Sequence, residues 1–297
     1  MTATLALGTY RITGEELAAA ARRAASSSGG WIDTAPNYCH GRAHRLLAPV
    51  LAESPRVGIA TKTGFLTEAT ARSAHAAGVI PNTKIRHSLS PEYVRWQTER
   101  SRTELGRNPD VMFVHNPERQ QAELHTQLRA AFTALEEAVH AGHLSSYGVA
   151  TWSGFQEKAF TIQQLDRLAT EAAGGDHHLR VIQLPVSLVM DGHFTEALHG
   201  TGPITAATEL GWDVHASAPL HGGELPHLAT PEIAELISPG AEIAAACLSA
   251  VASCPGVSKV LLATCDPTHW SDALAATRAE VSRDMLRTVL DVLATSD

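Results

Sequence analysis

The sequence has little that would brace a chain from outside its own core. Four cysteines, Cys39, Cys247, Cys254 and Cys265, are spread over 297 residues with no CxxC spacing. They make neither a disulfide framework nor a paired zinc signature, and no metal is expected. Reduced thiols in a cytoplasmic protein fit them best. No run approaches the ~18 uninterrupted apolar residues of a membrane helix. The start, MTATLALGTYRITGEEL, lacks the basic residues and long apolar stretch of a signal peptide. Cations are scarce: 23 Lys and Arg against 31 Asp and Glu give a formal charge of −8, which argues against a role in gripping nucleic acid or an anionic membrane. No GxGxxG follows the first apolar run, which disfavours an open doubly wound sheet. Neither a low-complexity linker nor a break in composition divides the chain.

What the sequence does contain is apolar residues, at 44%, in an alternating arrangement. Eight short, mostly apolar runs read as strands buried on both faces: Leu5–Tyr10, Trp31–Thr34, Val57–Thr61, Asp110–His115, Ser146–Ala150, Val181–Leu184, Trp212–Ser217 and Lys259–Thr264. Helical spacing fills the intervals, over Glu15–Ala25, Ala43–Leu51, Tyr93–Leu105, Gln121–His140, Phe155–Ala172, Phe194–Leu210, Ile233–Ser253 and Thr268–Val281. Ser90 and Pro91 mark a helix start. The pattern predicts an α/β protein, a single-domain (β/α)8 barrel over residues 1–297. Thr63–Ser88 reads as a long irregular loop after the third strand, and Arg283–Leu293 as an additional helix. A tail of only Val281–Asp297 leaves an open barrel mouth as the expectation.

In such a barrel the residues at the strand ends line the catalytic face. Asp33 closes the second strand and Tyr38 follows it; Lys62 closes the third and His115 the fourth. A tyrosine hydroxyl, with an ordinary pKa near 10, is a poor proton donor or acceptor alone. A nearby ammonium favours tyrosinate, a buried aspartate keeps that ammonium charged, and a neutral histidine can hold a substrate oxygen. Taken singly, each residue also has an ordinary structural role; the joint placement suggests protonation of an oxygen while an electron pair reaches carbon. Other residues read two ways. His177-His178 fits a surface loop better than a metal site. His215 and His221 flank the seventh strand end, and His40 and Arg42 follow Tyr38. Arg86-His87 could greet an acidic substrate or be solvated charge. Trp152 and Trp270 could wall a pocket or pack in the core, and Cys39 has no visible activating base.

The runs Trp31-Ile-Asp33-Thr-Ala-Pro-Asn-Tyr38, Ala60-Thr-Lys62-Thr-Gly64 and Phe113-Val-His115-Asn-Pro117-Glu118 resemble the aldo-keto reductase superfamily in order and spacing. Further matches are Gly8-Thr9-Tyr10, Tyr147-Gly148-Val149, Gln183, Ala216-Ser-Ala-Pro219-Leu220 and Pro255-Gly256-Val257. The resemblance implies a (β/α)8 barrel that reduces a small-molecule carbonyl, or oxidises the alcohol, with NADPH or NADH. It would make Tyr38 the proton donor, Lys62 and Asp33 its tuners and His115 the substrate orienter. Cofactor contacts would come from Gly8, Thr9, Tyr10, Asp33, Ala150, Thr151, Gln183, Ser217, Ala218, Leu220, Thr264, Cys265, His269 and Asp272. The chain departs from the family at Ala150-Thr151, where Ser-Asn is usual, and at Val186, where an aromatic residue commonly stacks on the nicotinamide. The run Ala263 to Trp270 has no cation for a 2′-phosphate, and Asp266 would repel one, although backbone amides at a helix start can bind phosphate. NADPH is the family default, and NADH stays open. Two alternatives remain: a non-redox acid–base enzyme on the same rim, for elimination, isomerisation or epimerisation, and a non-catalytic barrel.

Overall fold

The computed structural model describes residues 2–295; Met1, Ser296 and Asp297, the extremes of the expected barrel and tail, lie outside the described residues. Eight strands follow one another round a closed ring in chain order: β1 (Thr4–Gly8), β2 (Trp31–Asp33), β3 (Gly58–Thr63), β4 (Val111–His115), β5 (Ser146–Ala150), β6 (Leu179–Pro185), β7 (Asp213–Ser217) and β8 (Lys259–Leu262). This is the expected (β/α)8 barrel, each strand ending within about two residues of its sequence reading, the usual uncertainty of element boundaries. Contacts gather the chain into two compact units, residues 7–182 and residues 1–6 with 183–297. Among the described residues, no helix is long and apolar enough to cross a membrane.

In residues 7–182 the strands pair in parallel, with Gly8 opposite Asp33, Asp33 opposite Ala60, Lys62 opposite Phe113 and His115 opposite Ala150. Ala60, Val111, Phe113, Ala150 and Val181 form one buried cluster. Gly148 is required beside it, because a Cβ there would stand 2.4 Å from the Val181 carbonyl oxygen and 2.7 Å from the Phe113 ring. Successive residues of a strand face opposite sides. Thr61 faces outward, where its hydroxyl meets His44 Nε2 at 2.7 Å on helix Ala43–Glu53. Lys62 therefore faces the other way.

Two structural expectations change within this unit. Thr63–Ser88 is not irregular throughout: Thr67 caps a helix over Glu68–Ala76 through its hydroxyl, and Phe65 pairs with His87 in an antiparallel bridge. The helix expected from Phe155 begins only at Ile162, where Thr161 and Gln164 form a reciprocal capping box; residues 153–159 are turns. His177 and His178 are not a free surface loop either. His177 Nε2 meets Asp166 Oδ1 at 3.0 Å, and His178 Nδ1 meets Glu136 Oε2 at 2.7 Å. Burial pushes the Glu136 carboxyl up, but the backbone and side-chain hydrogen bonds from His178 help outweigh it and hold it below its ordinary value.

His44 provides a pH test of this packing. Burial first, then the charges of Arg100 and Lys62, push its pKa down to about 4 against the opposing pull of Glu104. A group neutral in the fold but protonated when unfolded costs stability as pH falls between the two pKa values. Stability is expected to decline from pH ~6.5, the ordinary histidine value, to about 4, by up to about 1.4 kcal/mol per pH unit. Urea denaturation across this window is expected to give a flatter pH profile for His44→Gln than for the parent.

In residues 1–6 with 183–297, Ala3 N and Thr4 N donate to the carbonyls of Ala252 and Ser258 at 2.8 and 3.0 Å. β7 and β8 pair with His215 opposite Lys259. The helices expected over Phe194–Leu210 and Ile233–Ser253 are each broken in two, into Gly192–Leu198 and Gly202–Glu209, and into Pro231–Ile237 and Ile243–Ala252. Gly200 and Gly202 at φ 71° and 77° cause the first break, and Gly240 at φ 75° sits in the second. The expected extra helix is present as Arg283–Ala294; it packs on Gly192–Leu198 and Pro231–Ile237, and Arg287 donates to the Leu198 carbonyl at 3.1 Å. Trp270 is buried in the core rather than lining a surface.

Candidate active site

The parallel register brings the ends of β2, β3 and β4 to one rim of residues 7–182. There Asp33 and Lys62 are both buried, and Lys62 Nζ donates to Asp33 Oδ1 and, at 3.0 Å, to the Thr34 carbonyl. Burying an ammonium is costly unless it is paired and hydrogen-bonded, and both conditions hold. Burial pulls the Lys62 pKa below the ordinary lysine value, while Asp33 works against that shift.

Tyr38 reaches the same place by a sharp reversal after β2. Its backbone N–H closes a turn to the Ala35 carbonyl at 3.1 Å, and it opens a 3-10 turn over Tyr38–Gly41. Cys39 and His40 then take left-handed conformations at φ 50° and 56°, each a strain of order 1 kcal/mol that persists where surrounding structure enforces it. Cys39 supplies part of that enforcement: its thiol donates to the Ile12 carbonyl at 2.7 Å, and burial raises its pKa. His40 and Arg42 point to the exposed surface.

The Tyr38 ring centroid lies 5.3 Å from Lys62 Nζ, 5.3 Å from the Tyr10 ring and 6.3 Å from the His115 ring. Sequence reasoning expects the ammonium to favour tyrosinate. Other influences outweigh this in the resting site. Lys62 spends its hydrogen bonds on Asp33 and Thr34, while burial, then the Asp33 charge, then Tyr10, hold the Tyr38 hydroxyl well above its ordinary pKa. The Tyr38 hydroxyl is therefore protonated at neutral pH.

His115 is neutral: burial first, then the charges of Lys62 and His87, put its pKa well below the ordinary histidine value. Its Nδ1 is buried and takes no hydrogen bond. The backbone at His115 is fixed by a residue the sequence did not single out for this role. His87 Nε2 donates to the His115 carbonyl at 2.7 Å, and Gln120 Nε2 donates to His87 Nδ1 at 2.9 Å. Phe65 stands edge-on to both rings at 4.9 and 4.8 Å. Gly64 makes room for this contact, since a Cβ at its φ of 135° would lie 2.9 Å from His87 Nε2. Nothing in the local sequence links position 87 to position 115, so only the fold reveals the clamp. Arg86 instead hydrogen-bonds the Thr83 carbonyl and lies 3.6 Å from Glu68 on the exposed surface.

The other candidate contacts divide by unit. Among residues 7–182, Gly8 pairs with Asp33, and Thr9 Oγ1 donates to the Asp33 carbonyl at 3.0 Å, so Thr9 braces β2. Tyr10 is 57% exposed. Ala150 and Thr151 are buried at the end of β5, where Thr151 Oγ1 accepts from Gly154 N at 2.8 Å and keeps its own proton to donate. Trp152 is half exposed, its backbone N–H bonded to Glu118 Oε1 at 2.9 Å. Among residues 183–297, Gln183 and His215 are buried, Ser217 ends β7, and Ala218 and His221 hold left-handed conformations with Leu220 between them. Thr264 accepts from Asp266 N at 3.1 Å; Cys265, His269 and Asp272 are exposed. Asp266 Oδ1 accepts from Thr268 N at 2.7 Å and His269 N at 3.3 Å, so the amides that open helix Pro267–Ala276 are already occupied by a carboxylate.

A protonated tyrosine and a neutral histidine above a buried ion pair can hold and protonate an oxygen that gains electrons. The family model described as "Aldo/keto reductase family" matches residues 2–235. No curated protein matches the sequence. Among solved structures, a protein described as a candidate 2,5-diketo-D-gluconic acid reductase B is similar at TM-score 0.71 and 17% identity, over 98% of this chain and 91% of that one. A glycerol dehydrogenase from Gluconobacter oxydans is similar at TM-score 0.71 and 20% identity, with the same coverage. An aldo-keto reductase from a Medee basin deep-sea metagenome library is similar at TM-score 0.68 and 15% identity, over 97% of this chain and 90% of that one. At these identities the structures show a shared fold.

Proposed function

The chain belongs to the aldo/keto reductase family, and we propose that it reduces a small-molecule carbonyl with a nicotinamide cofactor, Tyr38 donating the proton. The observation that carries this reading is the convergence of Tyr38, Lys62, Asp33 and His115 at three successive strand ends. The substrate oxygen sits between the Tyr38 hydroxyl and neutral His115. A bound nicotinamide supplies the hydride. As negative charge gathers on the oxygen, Tyr38 transfers its proton, because an alkoxide is a stronger base than a phenolate. The buried Lys62 ammonium near the ring compensates the charge left on the tyrosine. With the hydroxyl pKa raised, the protonated form needed for reduction is the resting form at neutral pH. The reverse reaction needs tyrosinate and is favoured only as pH rises.

The resemblance assigns the nicotinamide amide to Gln183 and to the position of Thr151, where the family usually has Asn; each is a buried polar side chain. Gly8, Thr9, Tyr10, Asp33, Ala150, Ser217, Ala218, Leu220, Thr264, Cys265, His269 and Asp272 complete the proposed cofactor contacts. The far end does not fit a 2′-phosphate. No Lys or Arg lies between Ala263 and Asp272, and Asp266 fills the helix start. We therefore propose NADH over the family's default NADPH. Titration of each cofactor, followed by protein fluorescence, is expected to give a lower Kd for NADH. Asp266→Ser, which keeps a helix cap and removes the charge, is expected to improve NADPH relative to NADH by about threefold to tenfold. Nicotinamide consumption against a panel of aldehydes tests the reaction; binding of neither cofactor would favour the non-redox acid–base alternative instead.

A further inference from the structure

Residues 7–182 carry a continuous arc of rings across the rim, and both of its ends are cations. Arg11 lies over the Tyr10 ring with its guanidinium carbon 5.3 Å from the centroid. Tyr10 contacts Tyr38, Tyr38 contacts His115 and His115 contacts Phe65, at centroid separations of 5.3, 6.3 and 4.8 Å. Arg119 closes the arc over the Phe65 ring at 5.4 Å. Among the described residues, most arginines are tied to carboxylates or carbonyls, such as Arg45 to Glu104, Arg95 to Glu137 and Arg107 to Asp110. Arg11 and Arg119 are exposed, and among the described residues neither guanidinium has an ion-pair or hydrogen-bond partner.

In a chain with a net charge of −8, two arginines left unneutralised at one rim form a local positive field. Each guanidinium carbon lies over a ring face, a cation–π contact that uses none of the N–H donors and leaves them available to an anion. Arg11 takes a left-handed conformation at φ 66°, which glycine or asparagine would adopt at less cost, so the residue is not placed there for the backbone's sake. Glu118, the carboxylate beside Arg119, is directed elsewhere: Oε1 accepts from Trp152 N and Ser153 N at 2.9 and 3.3 Å, and Oε2 is buried. Asp33 is neutralised by Lys62.

We propose that the substrate is an anionic carbonyl compound, carrying a carboxylate or a phosphate that Arg11 or Arg119, at either end of the arc, engages while the carbonyl oxygen lies between Tyr38 and His115. This inference rests on the carbonyl-reduction reading. Guanidinium groups suit both anions because their paired N–H groups match two oxygens at once.

The test compares kcat/KM for two matched pairs, succinic semialdehyde against butanal and glyceraldehyde phosphate against glyceraldehyde, in the parent and in Arg11→Gln/Arg119→Gln at low salt. The parent is expected to prefer the charged member of at least one pair, and that pair identifies the anion. The double variant is expected to lower this charged-to-neutral ratio by at least about tenfold, with partial recovery in Arg119→Lys. No preference in the parent, or a ratio the double variant leaves intact, overturns the anionic substrate while the reduction reading stands. Calorimetric titration of the parent and variant with succinate and with inorganic phosphate separates the two readings. If no aldehyde is turned over with either nicotinamide, the reduction reading falls; arginine-dependent anion binding then keeps the anion site, and its absence overturns that too.

Discussion

Tyr38→Phe is expected to lower kcat by about 10²–10⁴-fold, the range that a positioned proton donor contributes, and to leave the Kd for the nicotinamide cofactor unchanged. The substitution removes one hydroxyl and keeps the ring, so the packing against Tyr10 and His115 at 5.3 and 6.3 Å is retained. The loss therefore reports on proton transfer rather than on site architecture. Steady-state carbonyl reduction and cofactor titration by fluorescence measure the two quantities separately. A Tyr38→Phe protein with parental kcat would remove Tyr38 from the chemistry. The pH profile adds a second check. Because burial and Asp33 raise the hydroxyl pKa, the parent's kcat for reduction is expected to stay level through the neutral range, with alcohol oxidation rising toward high pH.

The second large effect concerns the ion pair beneath the tyrosine. Asp33→Asn leaves the Lys62 ammonium buried opposite a neutral amide, and breaking one half of such a pair costs about 3–5 kcal/mol. It also removes the influence that works against the lowering of the Lys62 pKa, so the lysine is expected to titrate still lower. Lys62→Met in the Asp33→Asn background removes the stranded charge and is expected to recover most of the lost stability, since apolar replacement of a buried pair is often neutral. Activity is not expected to return with it. Urea denaturation and kcat, measured on the single and double variants, make this split visible. Equal stability in all three proteins would show that the pair is not buried as a charged unit.

The alternation of apolar runs with helical spacing was enough to read the barrel, because strands buried on both faces leave a near-continuous apolar signature. Strand-end placement identified Asp33, Tyr38, Lys62 and His115 for the same reason: in a parallel barrel, chain order fixes which loop ends share a rim. The interruptions were harder to read. The apolar spacing of Phe194–Leu210 continues through the break at residues 200–202, and only backbone geometry at Gly200 and Gly202 divides it. The cap at Thr67 lies inside the segment that reads as an irregular loop, although one hydroxyl is enough to start the helix Glu68–Ala76.

The sequence by itself determined the fold class, the family and the four residues on the rim, because periodicity, motif order and strand-end position are local properties of the chain. The tertiary structure decided their electrostatics. Whether Lys62 favours tyrosinate depends on where its hydrogen bonds go, and they go to Asp33 and Thr34, so Tyr38 remains protonated. It also placed His87 under His115, spent the helix-start amides on Asp266, and left Arg11 and Arg119 without carboxylate partners. Each of these depends on burial and on distances of a few ångströms between residues far apart in the chain, and charge interactions change too steeply with both to be read from spacing.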